Sequence, residues 1–354
     1  MSGKLFIAGA GSGKTRKIVE DSVAINKKIL VLTYTNANHQ QIIDRFKNKT
    51  GVIPSNIKIS TWFSFLLSDG VRPYQGSRFK ERIKDIEFVN GCSINFNKKE
   101  SNDYFVKNNK IYSNKLSECV IELDLKSKGR VFDRISKMYD YIYIDEVQDL
   151  VGYDLEILKK LIATNTEVIM VGDPRQFTYS THSAKKYKKY NGRLDTFLKN
   201  ECNGLDFEID EQTLNCTYRN NDLICDFANK LYPNRTPVKS VAKANSESDG
   251  VKIINADDVD IYLEKSQAVQ LRDSKKIRVN MKYPCYNFGE SKGLEFDRTL
   301  IYPTREMWEW IINNSKELKN QTKAKFYVAI TRAKHSVAIV KKGNEKCNLP
   351  EIKL

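Results

Sequence analysis

A glycine-rich stretch near the start of the chain has the residue types that hold a phosphate group. It consists of Ala8, Gly9, Ala10, Gly11, Ser12, Gly13, Lys14 and Thr15. The spacing is that of a P-loop, with Ala8 where the general pattern has a glycine. Glycines let backbone N–H groups point inward around a phosphate at the positive end of a helix. Lys14 supplies a charge to the β- and γ-phosphates and Thr15 offers its hydroxyl to Mg²⁺, so the stretch predicts a nucleotide site.

A pair of adjacent carboxylates supplies the second half of such a site. The run Tyr141–Ile144 is apolar enough for a buried strand, and Asp145 and Glu146 follow it directly. We expect Asp145 to hold Mg²⁺ through water, and Glu146 to polarise the attacking water as a general base. Together with the glycine-rich stretch, this pair predicts hydrolysis of ATP with Mg²⁺ as the metal.

Short apolar runs alternate with helical patterns around these residues, which indicates an α/β protein with parallel sheets. In the first half we predict strands at Lys4–Ala8, Ile29–Thr33, Ile57–Ile59, Tyr141–Ile144 and Val168–Val171. In the second half we predict strands at Val251–Ile254, Thr299–Tyr302 and Val337–Val340, and helices at Leu223–Leu231 and Lys323–Lys334. Strands this apolar are covered by helices on both faces.

The two halves predict two domains, each with a parallel sheet of its own. Residues 1–65 and 131–182 form the first, which carries the P-loop and the acidic pair, and residues 183–354 form the second. The pattern weakens over residues 66–130, which include polar stretches rich in Asn and Lys. We interpret this segment as a small insertion in the first domain, mostly helical with one irregular hairpin.

The composition favours a globular protein with an anionic partner. The 354 residues include 59 Lys and Arg against 44 Asp and Glu, a formal net charge of +15. A basic surplus of this size favours nucleic acid or a phosphate-rich ligand. No stretch approaches the ~20 apolar residues of a membrane-spanning helix, and Cys and His are scattered without metal-binding spacing. We expect a cytoplasmic protein with reduced thiols, no membrane partner and no zinc.

Seven further motifs follow the P-loop across nearly the whole chain. They are Thr33–Asn36 (like TFTN), Thr61–Phe65 (like TxHSF), Asp145–Asp149 (DExxQD), Gly172–Gln176 (GDxxQ), Thr217–Asn220 (like NYRS), Ser291–Asp297 (SKGLEFD) and Tyr327–Ala333 (YVAxTRA). In form and order this set resembles the UvrD/Rep/PcrA group of superfamily 1 DNA helicases. The resemblance implies two RecA-like P-loop NTPase domains with ATP in the cleft between them.

The resemblance also implies residue roles around ATP. In the group, the Arg after the P-loop and the Tyr of the NYRS-like motif sandwich adenine, which implies Arg16 and Tyr218 in this chain. Gln176 is implied to touch the γ-phosphate and the attacking water, and Glu295 to contact the ribose.

Two further residues are implied to act as arginine fingers from the second domain. These are Arg219 of the NYRS-like motif and Arg332 of YVAxTRA, which are expected to close on the γ-phosphate. Closing and release of the domains would then ratchet the protein along a single strand. In the group this movement runs 3′ to 5′.

Contacts with single-stranded DNA are implied as well. Tyr34 and Tyr179 are the candidates for stacking on bases. Contacts with the DNA backbone are implied for four polar residues, which are Thr35, Asn36, Thr61 and Ser64. The stretch Lys185–Tyr190, in which Lys pairs alternate with Tyr, fits either a DNA groove or the solvated face of a connecting helix.

The chain departs from the group at positions that normally help to hold DNA. Phe63 replaces the His of TxHSF, Asn287–Gly289 replaces a Thr-x-His, and Thr181 replaces a Trp. Lys292 follows Arg219 by only 73 positions, where the group normally inserts its large 2B domain. These departures predict a motor core with little surface of its own for handling duplex DNA.

Two functions stay open at this point. The first is an ATP-dependent translocase or helicase on single-stranded or partly duplex DNA. The second is a regulatory or DNA-sensing subunit that acts with a nuclease or another protein in antiviral defence or repair, since the compact form resembles the helicase-like subunits of Gabija-type anti-phage systems. A small-molecule P-loop kinase is disfavoured by the motifs of the second half.

Overall fold

The computed structural model describes residues 3–89, 101–178, 185–343 and 347–353. The chain divides into two compact units. The first unit comprises Met1–Ile7, Lys14–Pro174 and Ser180–Asp210, and the second comprises Ala8–Gly13, Arg175–Tyr179 and Glu211–Leu354. Within the described ranges, no helix is both long and apolar enough to cross a lipid bilayer.

Sixteen strands and eleven α-helices are found in the described residues. The strands are β1 (Gly3–Ile7), β2 (Ile29–Thr33), β3 (Ile57–Thr61), β4 (Asp85–Glu87), β5 (Val106–Lys107), β6 (Lys110–Tyr112), β7 (Tyr141–Asp145), β8 (Glu167–Gly172), β9 (Phe207–Asp210), β10 (Cys216–Asn221), β11 (Lys239–Ala242), β12 (Gly250–Ile254), β13 (Val269–Arg272), β14 (Cys285–Asn287), β15 (Phe296–Ile301) and β16 (Ala333–Val340). The helices are α1 (Lys14–Ala24), α2 (Asn36–Thr50), α3 (Trp62–Phe65), α4 (Leu116–Lys126), α5 (Arg130–Met138), α6 (Tyr153–Ile162), α7 (Leu194–Glu201), α8 (Asp222–Asn229), α9 (Val259–Ser266), α10 (Arg305–Ile312) and α11 (Asn320–Ile330).

The first unit is built on a six-stranded parallel sheet in the order β3-β2-β7-β8-β1-β9. Its central strands are buried on both faces, as the five buried residues of β2 show. The second unit has a five-stranded parallel sheet in the order β12-β16-β15-β13-β14, with a separate parallel pair of β10 and β11. The predicted fold class, α/β with two parallel sheets, is confirmed.

The first unit extends further along the chain than the sequence predicts. Strand β9 pairs with β1 from Gly3 opposite Phe207 to Phe6 opposite Asp210. Helix α7 contributes Phe197 to the same hydrophobic core. The structure therefore places the boundary after Asp210, whereas the sequence pattern placed it at residue 182. Four residues of half-buried, partly charged strand gave no strong strand signal.

The stretch Lys185–Tyr190 packs its tyrosine rings onto the first unit and exposes Lys185, Lys188 and Lys189. The Tyr187 and Tyr190 rings contact Phe197, with ring centroids 5.1 and 5.5 Å apart. The Tyr190 hydroxyl donates to Glu201 at 2.6 Å, and Lys186 forms an ion pair with Glu156 at 3.0 Å. The tyrosines therefore anchor this segment to the core, and it forms a short 3₁₀ turn rather than a helix.

The insertion shares the core of the first unit. It opens with a π-helical turn at Leu66–Val71 and contains α4 and a small sheet in the order β4-β6-β5. The expected hairpin is β5–β6, whose two loop residues, Asn108 and Asn109, both have positive φ as a tight two-residue turn requires. Leu116 and Leu123 of α4 belong to the same buried cluster as Leu30 of β2.

Helix α11 begins and ends earlier in the chain than predicted. It ends at Ile330, whereas the sequence pattern extended it to Lys334. Ala333 instead starts β16 and pairs with Phe296 of β15. The Thr331 hydroxyl donates to the Tyr327 carbonyl at 2.8 Å, which satisfies a carbonyl group at the helix end.

Candidate nucleotide and nucleic-acid sites

The end of the P-loop and the acidic pair meet in the first unit. Helix α1 begins at Lys14, and the Thr15 hydroxyl donates to Asp145 Oδ2 at 3.0 Å. Lys14 Nζ lies 3.8 Å from Glu146 Oε1. Asp145 ends β7 and Glu146 follows it, at the carboxyl edge of the parallel sheet where such folds bind ligands. The structure therefore brings these four residues together.

The oxygen atoms of this group fit a magnesium ion. A hydroxyl and carboxylates are the ligands that Mg²⁺ prefers. Asp145 is buried, and this burial, together with the neighbouring Glu146 carboxylate, raises the pKa of Asp145 to about 6. Lys14 and the Thr15 hydroxyl act in the opposite direction. A divalent cation offsets the remaining negative charge, so Thr15 and Asp145 are suited to hold one.

Gln148 links the acidic pair to the next strand end, a role that the sequence analysis missed. Its Nε2 donates to Glu146 Oε2 at 2.5 Å, and its Oε1 accepts the backbone N–H of Asp173 at 3.0 Å. A Cβ on Gly172 would lie 2.4 Å from Gln148 Oε1, so a larger residue there would displace the Gln148 amide group. Gln148 thus holds Glu146, whose backbone has an unusual positive φ of 53°. The DExxQD and GDxxQ patterns contained the signal.

Residues 8–13 of the P-loop lie in the second unit, packed on the Thr217–Arg219 segment. The backbone N–H of Tyr218 donates to the Gly11 carbonyl at 3.0 Å. Gly11 has a φ of +70°, and a Cβ there would lie 2.5 Å from Arg219 Cβ. The buried Ser12 hydroxyl has no hydrogen-bond partner among the described residues. A hydroxyl in this state is suited to a bound phosphate.

Arg219 is held by Glu295. The Arg219 Nε donates to Glu295 Oε2 at 3.1 Å, and its Nη1 donates to the Thr331 carbonyl at 3.4 Å. Lys334 Nζ lies 3.7 Å from the other carboxylate oxygen. The resemblance implied a ribose contact for Glu295, and the structure pairs this residue with the predicted finger. Tyr218, the predicted adenine partner beside Arg219, is 55% exposed.

The second predicted finger, Arg332, is buried at 1% exposure. It donates to the carbonyls of Val328 and Leu294 at 3.1 and 3.0 Å. Its Nη2 also reaches Gln176 Oε1 at 3.4 Å. Several donors directed at fixed acceptors define the plane of a guanidinium group, so Arg332 has a set orientation. The structure therefore brings two predicted γ-phosphate residues together in the second unit.

The remaining predicted residues fall into three places. Arg16 is exposed on α1. Tyr34, Thr35, Asn36, Thr61 and Ser64 lie just after or at the ends of the neighbouring strands β2 and β3, where Thr33 is opposite Thr61. Tyr179 lies outside the described residues, as does Thr181.

Two of the predicted DNA contacts already have a structural task. The Thr35 hydroxyl accepts the Asn38 N–H at 3.1 Å and caps α2, and the Thr61 hydroxyl accepts the Ser64 N–H at 3.2 Å and caps α3. The exposed polar side chains at this edge are those of Asn36 and Ser64. Thr35 and Thr61 therefore fix the starts of two helices, whereas the Asn36 and Ser64 side chains are exposed to solvent.

Two protein-family models match the chain. One, described as an AAA domain, matches residues 3–182, about half of the chain. The other, described as the viral superfamily 1 RNA helicase core domain, matches residues 125–341. The chain belongs to the superfamily 1 helicases.

Curated relatives of this superfamily 1 helicase include two mycoplasma proteins. It is 26% identical to a probable DNA helicase II homolog of Mycoplasma capricolum over 292 residues, which cover 65% of this chain and 38% of the relative. It is 25% identical to a probable DNA helicase of Mycoplasma pneumoniae, covering 96% of this chain and 81% of the relative. The chain thus spans well under half of the first relative.

Solved structures show the same fold. The helicase resembles Arterivirus nonstructural protein 10 (helicase), with a TM-score of 0.51 and 15% identity, covering 96% of this chain and 59% of that one. The complex of the same viral protein with DNA gives a TM-score of 0.51 and covers 61% of that chain. These similarities agree with the RecA-like architecture expected for both parts of the helicase.

The stretch Asn287–Gly289, which replaces Thr-x-His in this helicase, includes a core residue. Phe288, in the stretch that replaces Thr-x-His, is fully buried in the core of the second unit. Its neighbour Asn287 donates to Glu290 Oε1 at 3.1 Å. The histidine that helps to hold DNA in the resembled group corresponds to Gly289 here, and the middle residue of the stretch, Phe288, supports the protein core.

Proposed function

We propose that this superfamily 1 helicase hydrolyses ATP to move along single-stranded DNA. The proposal is carried by two contacts at the start of α1. Lys14 Nζ lies 3.8 Å from Glu146 Oε1, and the Thr15 hydroxyl donates to Asp145 Oδ2 at 3.0 Å. A lysine, a hydroxyl and two carboxylates at a helix start are what a triphosphate, its metal and its attacking water require. The family membership and the names of the mycoplasma relatives support the choice of a helicase.

The first unit supplies the hydrolytic groups. Lys14 neutralises the β- and γ-phosphates, and Thr15 and Asp145 hold Mg²⁺, which when bound withdraws charge from the phosphate oxygens. Glu146 accepts the proton of the attacking water. Gln148 fixes the Glu146 carboxylate through its 2.5 Å hydrogen bond, so that the base keeps one orientation.

The second unit supplies groups for the transferred phosphate and the base. Arg219 and Arg332 stabilise the charge that develops on the γ-phosphate, a contribution that is typically on the order of 10³–10⁵ in rate. Gln176, which Arg332 already contacts, orients the attacking water. Tyr218 stacks on one face of adenine, and Arg16, which lies on α1 of the first unit, stacks on the other face.

Single-stranded DNA is the proposed track. The net charge of +15 draws a polyanion to the surface. Asn36 and Ser64 contact the strand backbone, and Tyr34 and Tyr179 stack on bases. Movement in the 3′ to 5′ direction follows the resembled group.

ATPase assays test this function. We expect wild-type turnover to rise severalfold with oligo(dT) at low salt and to vanish in Lys14→Ala. Lys17→Ala is the matched control, because Lys17 lies on the same helix and pairs with Asp21 at 2.9 Å. Turnover that ignores oligo(dT), or that responds only to oligo(rU), contradicts a DNA motor.

A second candidate is a helicase-like subunit that works with a nuclease or another protein. It is favoured by the path of the chain between Arg219 and Lys292, which builds β11 to β14 and two helices of the second unit instead of an additional compact unit. We expect such a subunit to unwind duplex poorly alone. Co-purification from its native host, followed by mass spectrometry, tests this candidate, and elution as a single chain contradicts it.

A further inference from the structure

Three aromatic rings form a row in the first unit. The Tyr34 and Phe63 centroids are 5.2 Å apart, and the Phe63 and Phe88 centroids are 5.6 Å apart, both edge to face. Tyr34 and Phe63 are partly buried against the first core, whereas Phe88 is 71% exposed. The row therefore leads from the core to a ring in the solvent.

Phe88 stands on an anchored backbone. Strand β4 pairs with β6 as far as Glu87 opposite Tyr112. On the other side of Phe88, the Val89 N–H donates to Ser113 Oγ at 3.2 Å. A single exposed apolar side chain is ordinary on a protein surface. Phe88 differs because its backbone is fixed on both sides and its ring is supported by a second aromatic ring.

The row begins at the strand ends that carry the proposed DNA contacts. Tyr34 follows β2 and Phe63 follows β3, and these strands are neighbours. The exposed Asn36 and Ser64 are close to these rings in sequence. Phe63 replaces a histidine of the resembled group, so a hydrocarbon ring has taken the place of a hydrogen-bonding one. This change favours stacking at this edge over a polar contact.

We propose that Phe88, supported by Phe63, is a stacking site for one unpaired base of single-stranded DNA. The inference rests on the proposed function, which supplies the strand and leaves Phe88 without a role. Nucleobases suit the site because every base has a flat face and stacks on an aromatic ring regardless of sequence. A protein partner suits the site less well, because stable protein interfaces bury about 1,200 Å² or more in total. Phe88 is preceded by the polar residues Lys84, Asp85 and Glu87, so the apolar surface around it is small.

Fluorescence anisotropy with labelled oligo(dT) measures the contact in the full chain. We expect Phe88→Ala to bind roughly 5- to 150-fold more weakly at low salt, the range for losing one base–aromatic stack. Phe88→Trp keeps the affinity. Leu125→Ala is the matched control, because Leu125 is 79% exposed on α4 of the same unit. It should bind as the wild type does, and all variants should melt at the same temperature.

A strand with abasic sites separates stacking from backbone contact. We expect wild type and Phe88→Ala to bind such a strand equally, and the salt dependence to keep its slope, because Phe88 neutralises no phosphate. The inference is overturned if Phe88→Ala binds oligo(dT) as tightly as wild type, or loses the same factor on both strands. If the wild type does not bind oligo(dT), the proposed function fails together with it.

Discussion

At the scale of single residues, the candidate ATP site consists of charges that restrain one another. Glu146 is held by Gln148, Arg219 by Glu295, and Asp145 by the Thr15 hydroxyl. Such contacts fix the orientation of a side chain before a ligand arrives, which reduces the reorganisation needed during reaction. Glu295→Gln and Asp145→Asn each remove the charge from one of these contacts and keep the shape of the side chain.

Glu295→Gln removes the charge that holds Arg219. We expect kcat for ATP to fall about 2- to 5-fold, since an exposed ion pair contributes ~1 kcal/mol or less. The affinity for ADP should not change, because ADP has no γ-phosphate for Arg219 to meet. Steady-state kinetics and ADP titration check both values.

Asp297→Asn is the control for that change. Asp297 lies two positions further along the chain and pairs with Lys334 at 3.4 Å. It should leave kcat as it is. If Glu295→Gln weakens ADP and ATP binding by the same factor, Glu295 contacts the ribose, as the resemblance implied.

Asp145→Asn should stabilise the protein without Mg²⁺ while abolishing turnover. The folded-state pKa of Asp145 is raised to about 6 from 3.8, so between these values the folded state holds a proton that the unfolded state has released. Stability is therefore fully present below about pH 4 and falls as pH rises through about 6. Melting curves at pH 7.5 should show a higher Tm for Asp145→Asn, and the difference should shrink near pH 4.

An exposed carboxylate provides the comparison for the melting curves. Asp133 forms an exposed pair with Lys137 at 2.8 Å. Asp133→Asn should change Tm little at either pH. A lower Tm for Asp145→Asn at pH 7.5 would show that the hydrogen bonds of this carboxylate outweigh its burial.

At the scale of elements, turns and strand ends position the site. The P-loop turn at Gly11 fits against the Thr217–Arg219 segment, and the end of β8 at Gly172 fits against Gln148. Strands β2 and β3 end side by side, which places two capped helix starts and the aromatic row at one edge. A change in one of these turns therefore acts on functional side chains as well as on stability.

Gly11→Ala should lower both stability and ATP affinity. Its φ of +70° disfavours any side chain, and its Cβ would collide with Arg219 Cβ at 2.5 Å. Gly51→Ala is the matched control, because Gly51 has a φ of +76° with nothing within 4 Å of the added Cβ. The control should cost roughly 1–2 kcal/mol of folding free energy from the backbone alone. Thermal melting and ATP titration compare the two, and equal losses in both assays would contradict the contact.

At the scale of the whole molecule, the chain is two α/β units that share its functional motifs. Residues 8–13 and 175–178 belong to the second unit although the sequence around them builds the first. Motif order along the chain is therefore a poor guide to which unit a residue joins. Each described residue for which the sequence analysis proposed a role belongs to one unit or the other.

Local patterns predicted what depends on local chemistry. The parallel sheets, β2 over Ile29–Thr33 and the group around Lys14 and Asp145 follow from apolar runs and from the spacing of charged residues. The sequence did not predict the place of β9, because its four half-buried residues become a strand only through pairing with β1. It also did not predict the partner of Glu295, which lies 76 positions away at Arg219. Such contacts depend on the assembled fold.

The buried Arg332 limits which sequences this protein can accept over evolution. Its guanidinium group serves carbonyls at the end of α11 and at Leu294, and also Gln176. A lysine has the same charge but a single nitrogen, which cannot reach acceptors in all of these directions. Replacing Arg332 with lysine would leave buried carbonyl groups without a hydrogen-bond donor. We therefore expect arginine to be conserved at this position.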